Sequence, residues 1–237
     1  HERSLDADLG LALALDCRQH LRPDLALVVM SATLDPAVVA DLLDGAPVIN
    51  AGASPFPVTV LWQPRPLPTA AERLAKVPHT VREALHAHAG DVLVFLPGAA
   101  EIRRVTRSLP ELAAEGVEVV ALHGSLSPRE QDAALRPGER RRVVVASALA
   151  ETSLTIPRIA IVVDAGLARH AVFNPARGMS HLITEFATRA ETEQRAGRAG
   201  RLGPGVAYRL WTEAEHRRLP PAPPPDITRD DLCPLAL

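Results

Sequence analysis

The chain has 237 residues, 47% of them hydrophobic and 23% charged, with a formal net charge of -2. That length suits one large domain or two modest ones, and the near-neutral charge excludes a globally basic nucleic-acid binder, so any such site must be a local stripe. Cys17 and Cys233, near opposite ends, exclude a disulfide framework or a cysteine metal centre and fit a reducing cytoplasm. No stretch is long and apolar enough to span a membrane, and no signal peptide is visible. The chain starts at His1 rather than Met and reads as a piece of a longer one. Lys76 is the only lysine among 26 basic residues, a bias that fits a GC-rich genome and weakens any argument from arginine number alone.

Residues 4–21 are expected to form a helix capped by Ser4, with Asp6 and Asp8 in its first turn and Leu5, Leu9, Leu13 and Leu21 on one face. The apolar run 25–30 reads as a buried parallel strand, residues 31–43 as a turn and a short helix, and 47–50 as a further strand. A proline-rich linker follows over 51–68, with a strand at Val58–Trp62 inside it. From there strand and helix alternate. Helices are expected near 70–89, 99–109, from Pro128, and near 188–196; buried strands at 91–97, 117–122, 141–147, 159–164 and 205–211. This pattern argues an α/β domain with a parallel sheet and helices on both faces. The domains are placed at 1–52 (the C-terminal part of a first α/β unit), 53–215 (a second, whole unit) and 216–237 (a proline-rich connector).

Ligands of open α/β sheets bind beyond the carboxyl ends of the strands. Here those ends lead into Ser31-Ala32-Thr33, Gly98, His123-Gly124-Ser125, the segment 147–155, and Asp164-Ala165-Gly166. Polar loops and a loop histidine also occur in domains without a ligand. The segment 194–201, QRAGRAGR, is more specific. Glycines weaken a helix by about 1 kcal/mol each, so a plain surface helix does not account for them. Small residues allow close approach, and the fork of arginine suits phosphate oxygens. Arg198 and Arg201, three apart, face the same way on a helical turn. Gln194 is placed to orient a water or hold a phosphate oxygen.

These motifs, in this order, resemble the DEAH-box group of superfamily 2 helicases, and more narrowly the bacterial HrpB-type ATP-dependent RNA helicases. His1 resembles the last residue of the Asp-Glu-x-His box; Ser31-Ala32-Thr33 the Ser-Ala-Thr motif; residues 93–102 motif IV; 123–127 the loop after the next strand; 146–166 motif V; and 194–201 motif VI. The resemblance implies a recA-like three-layer α/β fold, preceded by the C-terminal part of a first recA-like domain. It implies ATP and Mg²⁺ as substrate and cofactor, with His1, Ser31, Thr33 and Asp164 on the nucleotide side and Gln194, Arg198 and Arg201 facing the phosphates as catalytic residues. Arg195 is implied to be a local anchor. Gly98, His123, Gly124, Ser147, Glu151, Thr152 and Ser153 are implied to contact a nucleic-acid strand, RNA by the resemblance, although backbone contacts alone do not separate RNA from DNA.

Two departures stand out. Ala148 replaces an asparagine usual in motif V, and Arg189 and Glu191 occupy positions that are often small or polar in relatives. The chain has no Gly-Lys-Ser/Thr phosphate loop, so these residues alone are expected not to hydrolyse ATP. A non-catalytic recA-like module binding nucleic acid or protein, and a DNA translocase, remain as alternatives.

Overall fold

The computed structural model describes residues 3–31, 36–50, 56–151 and 156–233. The chain divides into two compact units. One comprises His1–Gly52, Ala171–Ile183 and Pro223–Leu237; the larger comprises Ala53–His170 and Thr184–Ala222.

In the smaller unit α1 spans Leu5–His20 and α2 spans Pro36–Leu42. The Ser4 hydroxyl accepts from the Ala7 amide at 3.4 Å, as its position before α1 implies. The strands expected at 25–30 and 47–50 are not formed: both segments are irregular. A parallel strand draws hydrogen bonds from neighbours and burial from both faces. Val28 and Met30 are instead 82% and 86% exposed, and among the described residues of this unit only Leu43 is buried.

The larger unit holds a six-stranded sheet. Its strands are β1 (Val58–Trp62), β2 (Asp91–Phe95), β3 (Val117–Leu122), β4 (Arg141–Ala146), β5 (Ile159–Asp164) and β8 (Gly205–Arg209), in the order β1-β8-β5-β2-β4-β3. Every pair in it is parallel. The segment 58–62, expected inside a linker, is thus an edge strand of the sheet. Helices α3 (Ala70–Ala87) and α4 (Ala99–Arg107) cover one face with Val77, Val81, Ile102 and Val105. Helices α5 (Pro128–Leu135) and α6 (Arg189–Gly197), with the 3-10 turn Arg198–Gly200, cover the other through Ala134, Ala196 and Ala199. The result is an α/β sheet with three layers. Four helix starts follow one rule. Thr69 with Glu72, Ser127 with Glu130, Thr188 with Glu191 and Thr212 with Glu215 each form a reciprocal capping box, the last opening α7 (Glu213–Arg217). No helix among the described residues is long and apolar enough to cross a membrane.

The registers bring the strand ends level. Trp62 pairs with Arg209, Arg209 with Asp164, Asp164 with Phe95, Phe95 with Ala146, and Ala146 with Leu122. All six carboxyl ends therefore open on one edge of the sheet. Two further strands, β6 (Leu167–Asn174) and β7 (Met179–Phe186), form a separate two-stranded ribbon that sequence analysis did not anticipate. Its signal was present. Asn174-Pro175-Ala176-Arg177-Gly178 is a turn sequence between two extended runs, and Asn174 Oδ1 accepts from the Ala176 amide at 3.0 Å.

Gly166 turns the chain from β5 into β6 at φ +67°, and a Cβ there would stand 2.7 Å from the Trp211 ring and 2.8 Å from Arg73 Nη1. Both the conformation and the space require glycine. Gly166→Ala is expected to lower stability by about 2 kcal/mol or more. Urea unfolding reads this directly, and an unchanged midpoint would count against the packing described.

Candidate functional site

The motif at 194–201 starts at the level edge, where Arg195 meets Asp164, and runs down one face of the sheet to Gly205, the first residue of β8. α6 is aimed by its capping box, in which Glu191 Oε2 accepts from the Thr188 amide at 2.7 Å. The helix ends at Gly197 and tightens into the 3-10 turn that carries Arg198. Ala196 and Ala199 pack with Phe95, Ala146, Val162 and Ala207. A Cβ at Gly205 would strike the Ala199 backbone. Part of the demand for small residues in this motif is therefore internal packing of the turn on the sheet, rather than room for an approaching surface.

The three arginines have three different environments. Arg195 is 1% exposed. Its Nε donates to Glu151 Oε1 at 2.7 Å, and its Nη1 donates to Asp164 Oδ1 and the Leu167 carbonyl, each at 3.1 Å. Its guanidinium also lies over the Phe95 ring, 5.4 Å from the centroid. Arg198 is 4% exposed and donates through Nη2 to the Glu151 carbonyl. Arg201 is exposed. Arg198 and Arg201, expected to face the same way, differ in burial. Gln194, on α6, is half-buried.

The charges fit this picture. Arg198 is held below the ordinary arginine value, at about 10, first by burial and then by the neighbouring Arg201 charge, with Glu151 opposing. An anion arriving here would relieve that cost. Burial works against the Arg195 cation as well, but Asp164, Glu151 and Glu191, in that order, more than offset it and raise its pKa. Burial pushes the Glu151 carboxyl up to about 7; Arg195 opposes the shift, and Glu191 and Asp164 add to it. The Glu151 carboxyl shares its buried surroundings with Asp164 and Glu191, and upward is the direction of its shift.

The other expected residues fall as follows. His1, Thr33, Thr152 and Ser153 lie outside the described residues. Ser31, in the smaller unit, is exposed. Asp164 is 2% exposed, and its Oδ1 also accepts from the Gly166 amide at 2.8 Å. Gly98 is buried beneath Arg169, whose Nη2 reaches Glu101 Oε1 at 3.1 Å. His123 is nearly buried, with Nδ1 2.8 Å from the Ser125 hydroxyl, while Gly124 is exposed. Ser147 is half-buried, and its amide donates to the Leu122 carbonyl at 3.1 Å, joining the loops after β3 and β4. Gly98, His123, Gly124, Ser147, Glu151 and Asp164 thus all lie at the carboxyl ends of the sheet.

Sequence analysis missed a second cluster beside them. Arg209, at the end of β8, stacks over Trp62 at 4.8 Å and Trp211 at 5.6 Å and meets His216 at 3.2 Å. Arg73 bonds Glu215 at 3.0 Å and lies 4.2 Å from the Phe186 ring centroid. Its members are far apart in sequence, and only the turn at Gly166 hinted at them.

The helicase conserved C-terminal domain family matches residues 74–203. The chain belongs to this family. It is a DEAH-box, HrpB-type C-terminal helicase domain with a recA-like fold. ATP-dependent RNA helicase HrpB of Escherichia coli (strain K12) is 41% identical over 239 residues, covering 100% of this chain and 29% of that protein. ATP-dependent RNA helicase HrpA of the same organism is 33% identical over 240 residues, 100% of this chain and 18% of that protein. A crystal structure of E. coli DExH-box NTPase HrpB superposes with a TM-score of 0.84 at 41% identity, over 99% of this chain and 29% of that one. A second, of E. coli DEAH/RHA helicase HrpB, gives 0.85 at 40% identity, over 99% of this chain and 30% of that one. The chain spans less than a third of the length of these relatives.

In this helicase domain the Glu151 shift predicts a pH effect. A carboxyl with a folded-state pKa near 7 and an ordinary value of 4.5 binds its proton more tightly when folded, so stability falls as pH rises from about 4.5 through about 7. The full effect is about 3 kcal/mol. His216 acts oppositely. Burial, then Arg209 and Arg189, depress it to about 4, so its contribution is lost as pH falls from 6.5 towards 4. Comparing Glu151→Gln with wild type cancels the histidine. The variant should gain stability relative to wild type between pH 5 and pH 8 in urea unfolding, and a pH-independent difference would contradict the assignment.

Proposed function

We propose that this chain supplies one side of the ATP cleft of an ATP-dependent RNA helicase, in which hydrolysis drives translocation along a strand and strand separation. The observation that carries this reading is Arg198, a buried guanidinium held below its ordinary pKa, which donates to the Glu151 carbonyl beyond the end of β4 and feels the charge of the exposed Arg201. An arginine of that kind gains most from an anion whose charge grows during reaction. Water attacks the terminal phosphoryl of ATP; Arg198 and Arg201 neutralise the developing charge, and Gln194 orients the water or a phosphate oxygen. The HrpB and HrpA relatives, described as ATP-dependent RNA helicases, support the same substrate and the same strand.

Asp164 takes a supporting part in this reading, because its Oδ1 holds both Arg195 and the Gly166 turn. The resemblance alone assigns Ser31, Thr33 and His1 to the nucleotide as well. The nucleic-acid side comprises Gly98, His123, Gly124, Ser147, Glu151, Thr152 and Ser153. At Glu151 the carboxyl is committed to Arg195, so contact there falls to the neighbouring backbone and hydroxyls. Mg²⁺ bound with ATP would offset phosphate charge. Among the described residues no group of three or more His, Cys, Asp or Glu could hold a metal, and no step is assigned through it.

ATP turnover by the intact protein, with and without RNA, tests the reading. Arg198→Ala and Arg201→Ala should each slow turnover strongly, within the arginine-finger range of about 10³ to 10⁵, with a smaller loss of ATP affinity. Turnover unchanged in both variants would remove the phosphate role. RNA binding without any hydrolysis by the wild type would favour the non-catalytic module instead. These 237 residues alone should show no hydrolysis, since they contain no Gly-Lys-Ser/Thr loop; turnover by the purified segment would sink that part.

A further inference from the structure

Arg195 binds acceptors from three separate segments. Nε and Nη2 reach Glu151 Oε1, in the turn after β4, at 2.7 and 2.6 Å. Nη1 reaches Asp164 Oδ1, the end of β5, and the carbonyl of Leu167, the first residue of β6, both at 3.1 Å. Glu151 is in turn bound twice: its side chain by Arg195, and its carbonyl by Arg198 Nη2. One residue therefore lies between the two arginines as a shared support. The same fork that holds this support also holds the root of the β6–β7 ribbon.

We propose that Arg195 is a positioning residue for Arg198. By fixing Glu151 it fixes the carbonyl on which Arg198 rests, and it ties that point to the ribbon at Leu167. This inference rests on the proposed ATP-hydrolysing function. A lysine at 195 keeps the charge but not the planar fork, and one ammonium cannot span acceptors on three segments in the same geometry. A displaced Glu151 leaves Arg198 present but misplaced. That lowers the rate of the chemical step more than it lowers affinity for ATP.

The test is steady-state ATP hydrolysis by the intact protein carrying Arg195→Lys, Glu151→Ala, or both, with thermal melting and amide hydrogen exchange on the same samples. Arg195→Lys should lower kcat about ten-fold with KM for ATP within about two-fold. Glu151→Ala should do the same, and the double variant should be no slower than the slower single, because both break one link. Amides of Gly166 and Leu167 should exchange about ten-fold faster in Arg195→Lys. A wild-type kcat in Arg195→Lys, or losses in the two single variants that multiply in the double, overturns the proposal. So does a fall in melting temperature with kcat and KM unchanged, which is the mark of a purely structural arginine. Wild-type protein without hydrolysis sinks the proposed function instead. The exchange rates then decide: unchanged exchange at Gly166 and Leu167 overturns the positioning role, and faster exchange upholds the tie to Leu167.

Discussion

One buried guanidinium organises the carboxyl edge of this sheet. Arg195 is fully enclosed, and an enclosed arginine is costly unless its donors and its charge are both matched. Glu151, Asp164 and the Leu167 carbonyl supply that match. Removing one partner from such a cluster ordinarily costs about 3–5 kcal/mol, because the remaining charge is left buried and alone. The path of three loops therefore depends on one side chain: the turn after β4, the corner between β5 and β6, and the segment that carries Arg198. Arg195 and Arg198 are three residues apart, yet their partners differ: Arg195 holds two carboxylates and a carbonyl, and Arg198 rests on the Glu151 carbonyl.

Below that edge the design is simpler. Near-continuous apolar strands are buried on both faces, with Val92, Val94, Val143 and Val145 towards α3 and α4 and Leu93, Val144 and Val162 towards α5 and α6. The capping boxes give the helices their starting points, and the parallel registers set every strand end at the same height. The site inherits its shape from these two regularities. Residues from widely separated parts of the chain arrive at one edge because each strand stops where its neighbour stops.

Much of this was legible in the residues themselves. The buried runs at 117–122 and 159–164 form strands with those limits, and helices begin at Pro128 and Arg189, where they were expected. What failed shares a cause. Apolar runs at 25–30 and 47–50 have the composition of parallel strands, but composition does not reveal whether a neighbour stands beside them. The segment 58–62 is a strand as expected, but its place at the sheet edge comes from pairing with β8, made 147 positions away between Val58 and Gly205. At the site, spacing located the motif but could not separate buried Arg198 from exposed Arg201. The Arg73, Arg209 and Trp211 cluster was invisible for the same reason: Arg73 and Glu215 are 142 positions apart. Periodicity reads local structure well, and partners at long range only through turns such as Gly166 that they constrain.

The level row of strand ends has a consequence for how such a domain can diversify. Trp62, Arg209, Asp164, Phe95, Ala146 and Leu122 form a common baseline from which each loop departs. The loop after β3 begins on that baseline and meets the loop after β4 through the bond from the Ser147 amide to the Leu122 carbonyl, so its side chains can be exchanged while that backbone bond stays. The loops after β4 and β5 have no such freedom, since a single buried cation joins them. Change is therefore least constrained at the β3 end of the edge, and the loops after β4 and β5 must change as a unit or not at all.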